Sequence, residues 1–312
     1  MKNKLLKILT LIFSISLCLF ALTACEHKHD FIIKKFDNIN HWLQCECGEK
    51  ANVENHLFNG EYLPNNDGTK SQSCECGIID YIVDENVLIV ENSTITEVTE
   101  YGKTLTEIVI PGSVESVGAN IFKDCELLTK VTVQNGVEHL YASFNGAKSL
   151  KEVIIPESVY RIESFAFQNC PSLTNIEVAE ENWAYKDING NLYDKEGMFL
   201  IQYALGKSEE TFIIPSGVKI VRDSAFRGSV WLKNVIISNS VTEILNYAFA
   251  DSLNLTKIII PSSVEGFGHN VFYNCPSLTI YCEAESMPET WSPIDVWNSS
   301  NRPIVWGYKS EN

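Results

Sequence analysis

The sequence predicts an elongated, right-handed solenoid, mostly β, whose short strands stack into one parallel sheet. Three markers that stay in step predict it. A valine after serine or glycine recurs at Val114, Val137, Val159, Val218, Val241 and Val264, in steps of 23, 22, 59, 23 and 23 residues. A phenylalanine keeps the same beat at Phe122, Phe144, Phe167, Phe226, Phe249 and Phe272. A leucine follows each by six, at Leu128, Leu150, Leu173, Leu232, Leu255 and Leu278. A fixed period of this length means that one supersecondary turn cannot bury its own apolar face, and only stacked neighbours complete a core.

The N-terminus comes first. Lys2, Lys4 and Lys7 precede an apolar run from Ile8 to Leu22, which meets Thr23-Ala24-Cys25. A charged start, a short apolar core and small residues before a processing point read as a secretory signal over residues 1–24, too short for an ordinary spanning helix. The cysteine at the junction resembles the bacterial lipobox. That resemblance implies cleavage after Ala24, a lipid on Cys25 and attachment to a membrane through acyl chains.

Residues 25–78 have a different texture. His27, His29, His41, Cys45, Cys47, His56, Cys74 and Cys76 crowd into them, while the rest of the mature chain holds only His139 and His269. The phrases Cys45-x-Cys47-Gly48 and Cys74-x-Cys76-Gly77 look alike. Each puts two sulfurs on a tight turn, and the segment resembles short zinc-ribbon-like modules. Three chemistries stay open. Structural zinc held by His41, Cys45, Cys47, His56, Cys74 and Cys76, with His27 and His29 as further donors, would staple a segment poor in large apolar residues. A pair of disulfides would do the same in an oxidising compartment, and a loose tether would need neither.

The repeats span 79–282, with the stretch up to Gly102 expected to cap their first end. In each unit a β-branched, period-two run reads as a strand: Ile108–Ile110, Val131–Val133, Val153–Ile155, Phe212–Ile214, Val235–Ile237 and Ile258–Ile260. Pro111, Pro156, Pro215 and Pro261 end these runs, because proline cannot donate to a ladder. The returning arcs are too short for a long helix and should hold irregular or 3₁₀ backbone with extra short strands. Cys125, Cys170 and Cys275 share a slot with Ala147, Ser229 and Ser252, which marks it as small and buried rather than reactive. The runs Leu128-x-x-Val131-x-Val133-x-Asn135 and Leu232-x-x-Val235-x-Ile237-x-Asn239 fit the leucine-rich repeat pattern. With Ile-Pro-x-Ser-Val and Ala-Phe-x-x-Cys, the chain resembles the bacterial BspA-type leucine-rich repeats, which implies the α/β horseshoe class. Gly112, Glu157, Ser216 and Ser262 depart from the pattern where asparagine belongs.

The 59-residue step reads as one turn plus about 36 further residues. Over about 180–211 its alternating apolar residues and the turns Asn189-Gly190 and Glu196-Gly197 predict a hairpin. After Cys282 the period breaks, and Trp291, Trp297 and Trp306 are expected to make an aromatic cap over 283–312.

Composition bounds the function. Residues 1–24 carry three lysines and no acid, so the net charge of −16 becomes −19 on the mature form. Such a surface repels nucleic acid. Phosphate loops, dinucleotide turns, zinc-protease helices and nucleophile elbows are all missing from the sequence, so no enzyme is expected. His139, His269 and the acidic pairs Glu180-Glu181 and Glu209-Glu210 read as arc and loop residues. The expectation is a lipid-anchored, extracytoplasmic recognition protein on the cell surface, adhesive, with an extracellular protein ligand. Its face is the strand-centre stripe Val109, Thr132, Ile154, Ile213, Ile236 and Ile259, interrupted by Glu177, which alternation turns away from the core. The alternatives are a surface hydrolase or metal-handling lipoprotein that uses the His/Cys segment, and a structural spacer.

Overall fold

In a computed structural model of the chain, residues 62–65, 67–73 and 79–309 are described, together with the backbone of three earlier strands. Those strands, Ile33–Phe36, Asn40–Gln44 and Lys50–Asn55, form an antiparallel sheet with Asn40–Gln44 in the middle. They belong to one compact unit. Residues 62–71, although inside the stretch read as the His/Cys segment, belong to the other, with the repeats.

The repeat unit is a β-solenoid of about nine turns. Glu107–Ile110, Lys130–Val133, Glu152–Ile155 and Asn175–Val178 pair in parallel, and each sets its second and fourth residues inward. Ile108, Ile110, Val131, Val133, Val153 and Ile155 are fully buried, as period two dictates for a half-covered sheet. A second set of strands follows the same rule: Thr211–Ile213, Asn234–Ile236, Lys257–Ile260 and Thr279–Cys282. The prolines stop the strands and also serve the turns. The carbonyls of Pro111, Pro215 and Pro261 accept from the N–H groups of Val114, Val218 and Val264 at 3.2, 3.3 and 3.2 Å. Gly112 has a steric reason to replace asparagine, since a Cβ there would lie 1.8 Å from the Asn135 carbonyl oxygen of the next turn.

The single sheet expected from the sequence is one of two columns. The extra short strands of the arcs line up in parallel as Ser116–Val117, His139–Leu140 and Arg161–Ile162, then as Ile220–Val221, Glu243–Ile244 and Gly266–Phe267. On the remaining side a third ladder joins the turns. Phe144, Phe226 and Phe249 donate their N–H groups to Ala166, Ala248 and Val271 of the following turn at 2.9, 2.8 and 3.0 Å. Inside that ladder the phenylalanine rings pile up. Centroids are 5.5 Å apart for Phe122–Phe144, 5.2 Å for Phe144–Phe167, 4.8 Å for Phe226–Phe249 and 5.8 Å for Phe249–Phe272. The rise is close to the spacing of about 4.8 Å that parallel strands impose.

The column contains a rung that the sequence did not reveal. Tyr203 stacks on Phe226 at 5.0 Å and is fully buried. The 59-residue step is therefore two turns, the first lengthened by a hairpin, not one turn plus 36 residues. The hairpin pairs Tyr185–Ile188 with Asn191–Asp194 around Asn189-Gly190, both at positive φ (52° and 71°), the two-residue turn that matches strand twist. Asn182 fixes its start. The buried amide donates to the carbonyls of Pro156 and Val159 and accepts from the N–H groups of Ala184 and Tyr185. Strand Asn191–Asp194 then pairs with Phe199–Gln202, which rejoins the second column. Its consecutive side chains face opposite interiors, Leu192 in the first core and Tyr193 in the second. The hairpin is a wall between two hydrophobic cores.

Both ends are closed. At the first, the Val109 N–H donates to the Asp67 carbonyl at 2.6 Å, and Gly68, at φ +103°, packs so closely that a Cβ would come within 3.2 Å of Leu88 and 3.3 Å of Ile108. At the other, Trp297 stacks on Phe267 at 4.6 Å and Trp291 donates its indole N–H to the Val264 carbonyl. Strand Ile304–Val305 covers the sheet edge beside Thr279–Cys282.

Each ring is buried by the two turns that flank it, so truncating one inside a run should open a cavity. Phe249→Ala is expected to cost about 3–5 kcal/mol in urea unfolding. A change under about 1 kcal/mol would mean that the column does not hold the turns together.

Candidate recognition surface

Register brings the predicted stripe together as two rows. Val109, Thr132, Ile154 and Glu177 stand side by side on one sheet. Ile213, Ile236 and Ile259 stand side by side on the other, continued by Tyr281 and Val305. Exposure along them is uneven, and the stripe is not a uniformly open face. Val109, Thr132, Ile154 and Ile236 are half-buried, covered by their neighbours, and Ile259, between Ile236 and Tyr281, is only 8 % exposed. The row opens at its ends, where Ile213 is 62 % and Val305 40 % exposed.

A polar row runs beside the apolar one. Glu107, Lys130, Glu152 and Asn175 stand in register; Lys130 pairs with Glu152 at 2.8 Å, and Asn175 donates to Glu152 at 3.0 Å. The hydrogen bond to Lys130 holds the Glu152 carboxyl below its ordinary range, and the same bond raises Lys130. At a surface this sets side-chain position more than it adds stability. In the second half Lys257 takes the equivalent place, 5.0 and 4.9 Å from the ring centroids of Tyr281 and Tyr308, and donates to the Tyr308 hydroxyl.

A second cluster escaped the sequence reading. Trp183, 67 % exposed, stacks on Tyr160 at 6.0 Å, and Tyr160 meets the edge of His139 at 5.0 Å. The Tyr160 hydroxyl lies 3.0 Å from His139 Nε2 and donates to Glu138 at 3.1 Å. Tyr160 and Trp183 are one repeat apart, and that spacing was the signal available. His269 is exposed, and its backbone N–H donates to Asn246. Glu209 accepts from the Tyr203 hydroxyl and Glu210 pairs with Lys233; Glu180 and Glu181 are exposed.

Of the predicted lipid and metal residues, Cys25, His27, His29, Cys45, Cys47, His56, Cys74 and Cys76 lie outside the described residues. His41 is on the middle strand Asn40–Gln44, and its side chain too lies outside the description. Among the described residues no group of three or more His, Cys, Asp or Glu side chains is disposed to hold a metal, and no helix is long and apolar enough to cross a membrane.

The shared Cys/Ser slot has a structural reason. Cys170 and Cys275 donate from Sγ to the carbonyls of Phe144 and Phe249, both at 3.0 Å, and Ser252 donates to Phe226 at 3.1 Å. In each pair the acceptor is the column phenylalanine of the preceding turn. Ser229 breaks the series: its hydroxyl is buried without a partner, and Gln202 donates to the Tyr203 carbonyl that it would otherwise use.

Strand columns, ring column and closed ends define a leucine-rich repeat protein. Six copies of the BspA type leucine-rich repeat match residues 91–195 and 203–289, more than half of the chain. The chain belongs to that family, and the gap in the match falls where the hairpin returns to the solenoid. No curated protein matches significantly. Among solved structures, a leucine-rich repeat protein from Eubacterium ventriosum is 22 % identical over 71 % of this chain and 72 % of its own, with a TM-score of 0.44. The pneumococcal vaccine antigen PcpA is 18 % identical over 89 % and 88 %, with a TM-score of 0.45. A leucine-rich cell surface protein from Faecalibacterium prausnitzii is 17 % identical over 90 % and 96 %, with a TM-score of 0.38.

Burial pushes the Cys125 thiol up to about 11 and those of Cys170, Cys275 and Cys282 up to about 12. Iodoacetamide at pH 8 followed by peptide mapping should therefore leave all four unlabelled until the chain unfolds. An unfolded thiol ionises near about 8.5 and the native ones ionise later. Stability is therefore level below that pH and falls as pH rises toward the native values. Rapid native labelling of Cys170 would contradict the tight slot.

Proposed function

We propose that this leucine-rich repeat protein is a lipid-anchored, cell-surface recognition protein that binds an extracellular protein ligand, in an adhesive role, through the outer face of the second-half sheet. The observation that carries the reading is the row Ile213, Ile236, Ile259, Tyr281 and Val305. It crosses five consecutive rungs without a charge in a chain of net charge −16. An apolar row that opens at Ile213 and Val305 favours a protein partner, whereas the acidity disfavours nucleic acid. In the first-half row Glu177 takes the fourth place, so that half is the weaker candidate. The binding face is accordingly narrower than the six-residue stripe. Ile213→Glu and Ile236→Lys in the full chain should abolish capture of a surface partner while circular dichroism stays unchanged. Undiminished capture by both variants would remove the row from consideration.

The anchor is proposed on the lipobox-like junction at Cys25, and extracytoplasmic exposure follows from it. For the segment after it we propose structural zinc on His41, Cys45, Cys47, His56, Cys74 and Cys76, supported by the softness and number of these donors. Mass spectrometry of the purified full chain tests both under native and denaturing conditions. The expected result is a chain starting at an acylated Cys25 that sheds zinc on denaturation. An unacylated cysteine would refute the anchor, and a zinc-free chain short of four titratable thiols would replace the metal with disulfides.

A further inference from the structure

The insertion breaks the second strand column. Arg161–Ile162 is the last strand of one sheet, and Phe199–Gln202 belongs to the next. Between them lies a cleft of about 210 Å³, lined by both strands and by Phe165, Tyr185 and Arg222.

Arg222 is the first unusual feature. The other three arginines are held: Arg161 by Glu163 at 3.0 Å, Arg227 by Asp251 at 2.9 Å, and Arg302 by the carbonyls of Pro276 and Ser300. Arg222 is half-buried, and its guanidinium makes no hydrogen bond or ion pair among the described residues. It rests 5.8 Å from the centroid of the Phe199 ring. A guanidinium offers five donors in a planar fork suited to a carboxylate.

Tyr185 is the second. Its hydroxyl oxygen accepts the Ile162 N–H at 2.9 Å, which leaves the hydroxyl proton to donate elsewhere. Phe165 is the third. It sits at φ +70° and is 42 % exposed, in a slot that Asn120, Ser224, Tyr247 and Asn270 fill in other turns at φ 59°, 58°, 55° and 54°. The left-handed backbone is thus the repeat's own, and Tyr247 shows that the slot accepts an aromatic ring; at Phe165 that ring is half-exposed and lines the cleft.

The lining also carries the carboxylates of Glu163, Asp194 and Asp223, so the attraction for an anion is local to the Arg222 fork. Burial raises the Tyr185 phenol, while the hydrogen bond from the Ile162 N–H and, less strongly, Arg222 and Arg161 pull it down. The surrounding carboxylates already have partners: Glu163 pairs with Arg161, Asp194 accepts the Phe199 N–H, and Asp223 accepts from Asn246.

We propose that this cleft binds a small ligand that carries a carboxylate next to a ring or short apolar stem. The carboxylate meets the Arg222 guanidinium and the Tyr185 hydroxyl, and the apolar part lies against Phe165 and Phe199. An acidic sugar and an acidic amino-acid side chain both have this chemistry. Saturation-transfer NMR on the full chain, with glucuronate and N-acetylglutamate as probes and glucose and N-acetylglutamine as neutral counterparts, tests it. At least one acid should bind about tenfold or more tightly than its neutral counterpart, and the tighter acid identifies the source. Arg222→Gln should weaken that binding by about tenfold, the loss of a charge-assisted contact. Phe165→Asn should also weaken it while raising the melting temperature, since asparagine suits the backbone. Binding by neither acid, equal binding of the neutral probes, or full binding by Arg222→Gln would overturn the proposal.

Discussion

The whole repeat unit depends on an interior that no turn owns. A phenylalanine in the column touches the ring above and the ring below, and its own turn closes only one side of it. The column and the three ladders reinforce one another, because strand pairing sets a rise that aromatic stacking accepts. Such stability is close to a sum of nearest-neighbour terms. That explains why the ends receive such different treatment from the middle. At one end Asp67 and Gly68 close the strand edge, and at the other two tryptophans replace the missing ring.

The same constraint decides what an insertion must do. Extra chain placed between turns would separate their rings and expose both interiors. Here it does not, because the hairpin strand Asn191–Asp194 has apolar residues on both faces and seals a core with each. Asn182 makes the departure possible by satisfying four backbone groups that would otherwise be buried without partners. The edge of Asn175–Val178 is covered as well, since the Ile176 N–H donates to Gly190 and the Val178 N–H to Asp187. The wall leaves a sealed interior and a broken outer column.

Much of this was legible in the residues. The period, the strands and the small slot at Cys170 each follow from a local rule repeated six times, the prolines from one repeated four times, and repetition turns weak signals into a strong one. Tyr203 was not legible, because a tyrosine among phenylalanines, after a step of irregular length, has nothing in its own neighbourhood to mark it. The second column was foreseen only as scattered short strands. Two-residue strands carry no periodicity, and only stacking makes them a sheet. Exposure was the least legible property. Alternation gives the direction of Ile259 correctly, but whether neighbours leave it open depends on Ile236 and Tyr281, which come from other turns. Trp183 and Tyr160 show the converse: ordinary residues in their own turns, they become a stacked surface pair once the turns are in register.

In a molecule built by repetition, a position that obeys the repeat is explained by the repeat. Chemistry directed outward is easiest to recognise where the pattern is broken without structural benefit. Ser229 breaks it for a reason inside the core, since Gln202 has taken its acceptor. Phe165 keeps the repeat's left-handed backbone, as Tyr247 does, but its ring lies half in solvent on the cleft rather than in a core. Arg222 likewise serves no ladder with its side chain, although every other arginine does local structural work. Both lie at the one seam where the second column is interrupted, beside a phenol with a proton to give. A row of isoleucines is compatible with simple sheet propensity, but a half-exposed ring and a guanidinium without an ion pair among the described residues, both on one cleft, are not products of propensity. The use proposed for them is contact with an acidic ligand from outside the chain.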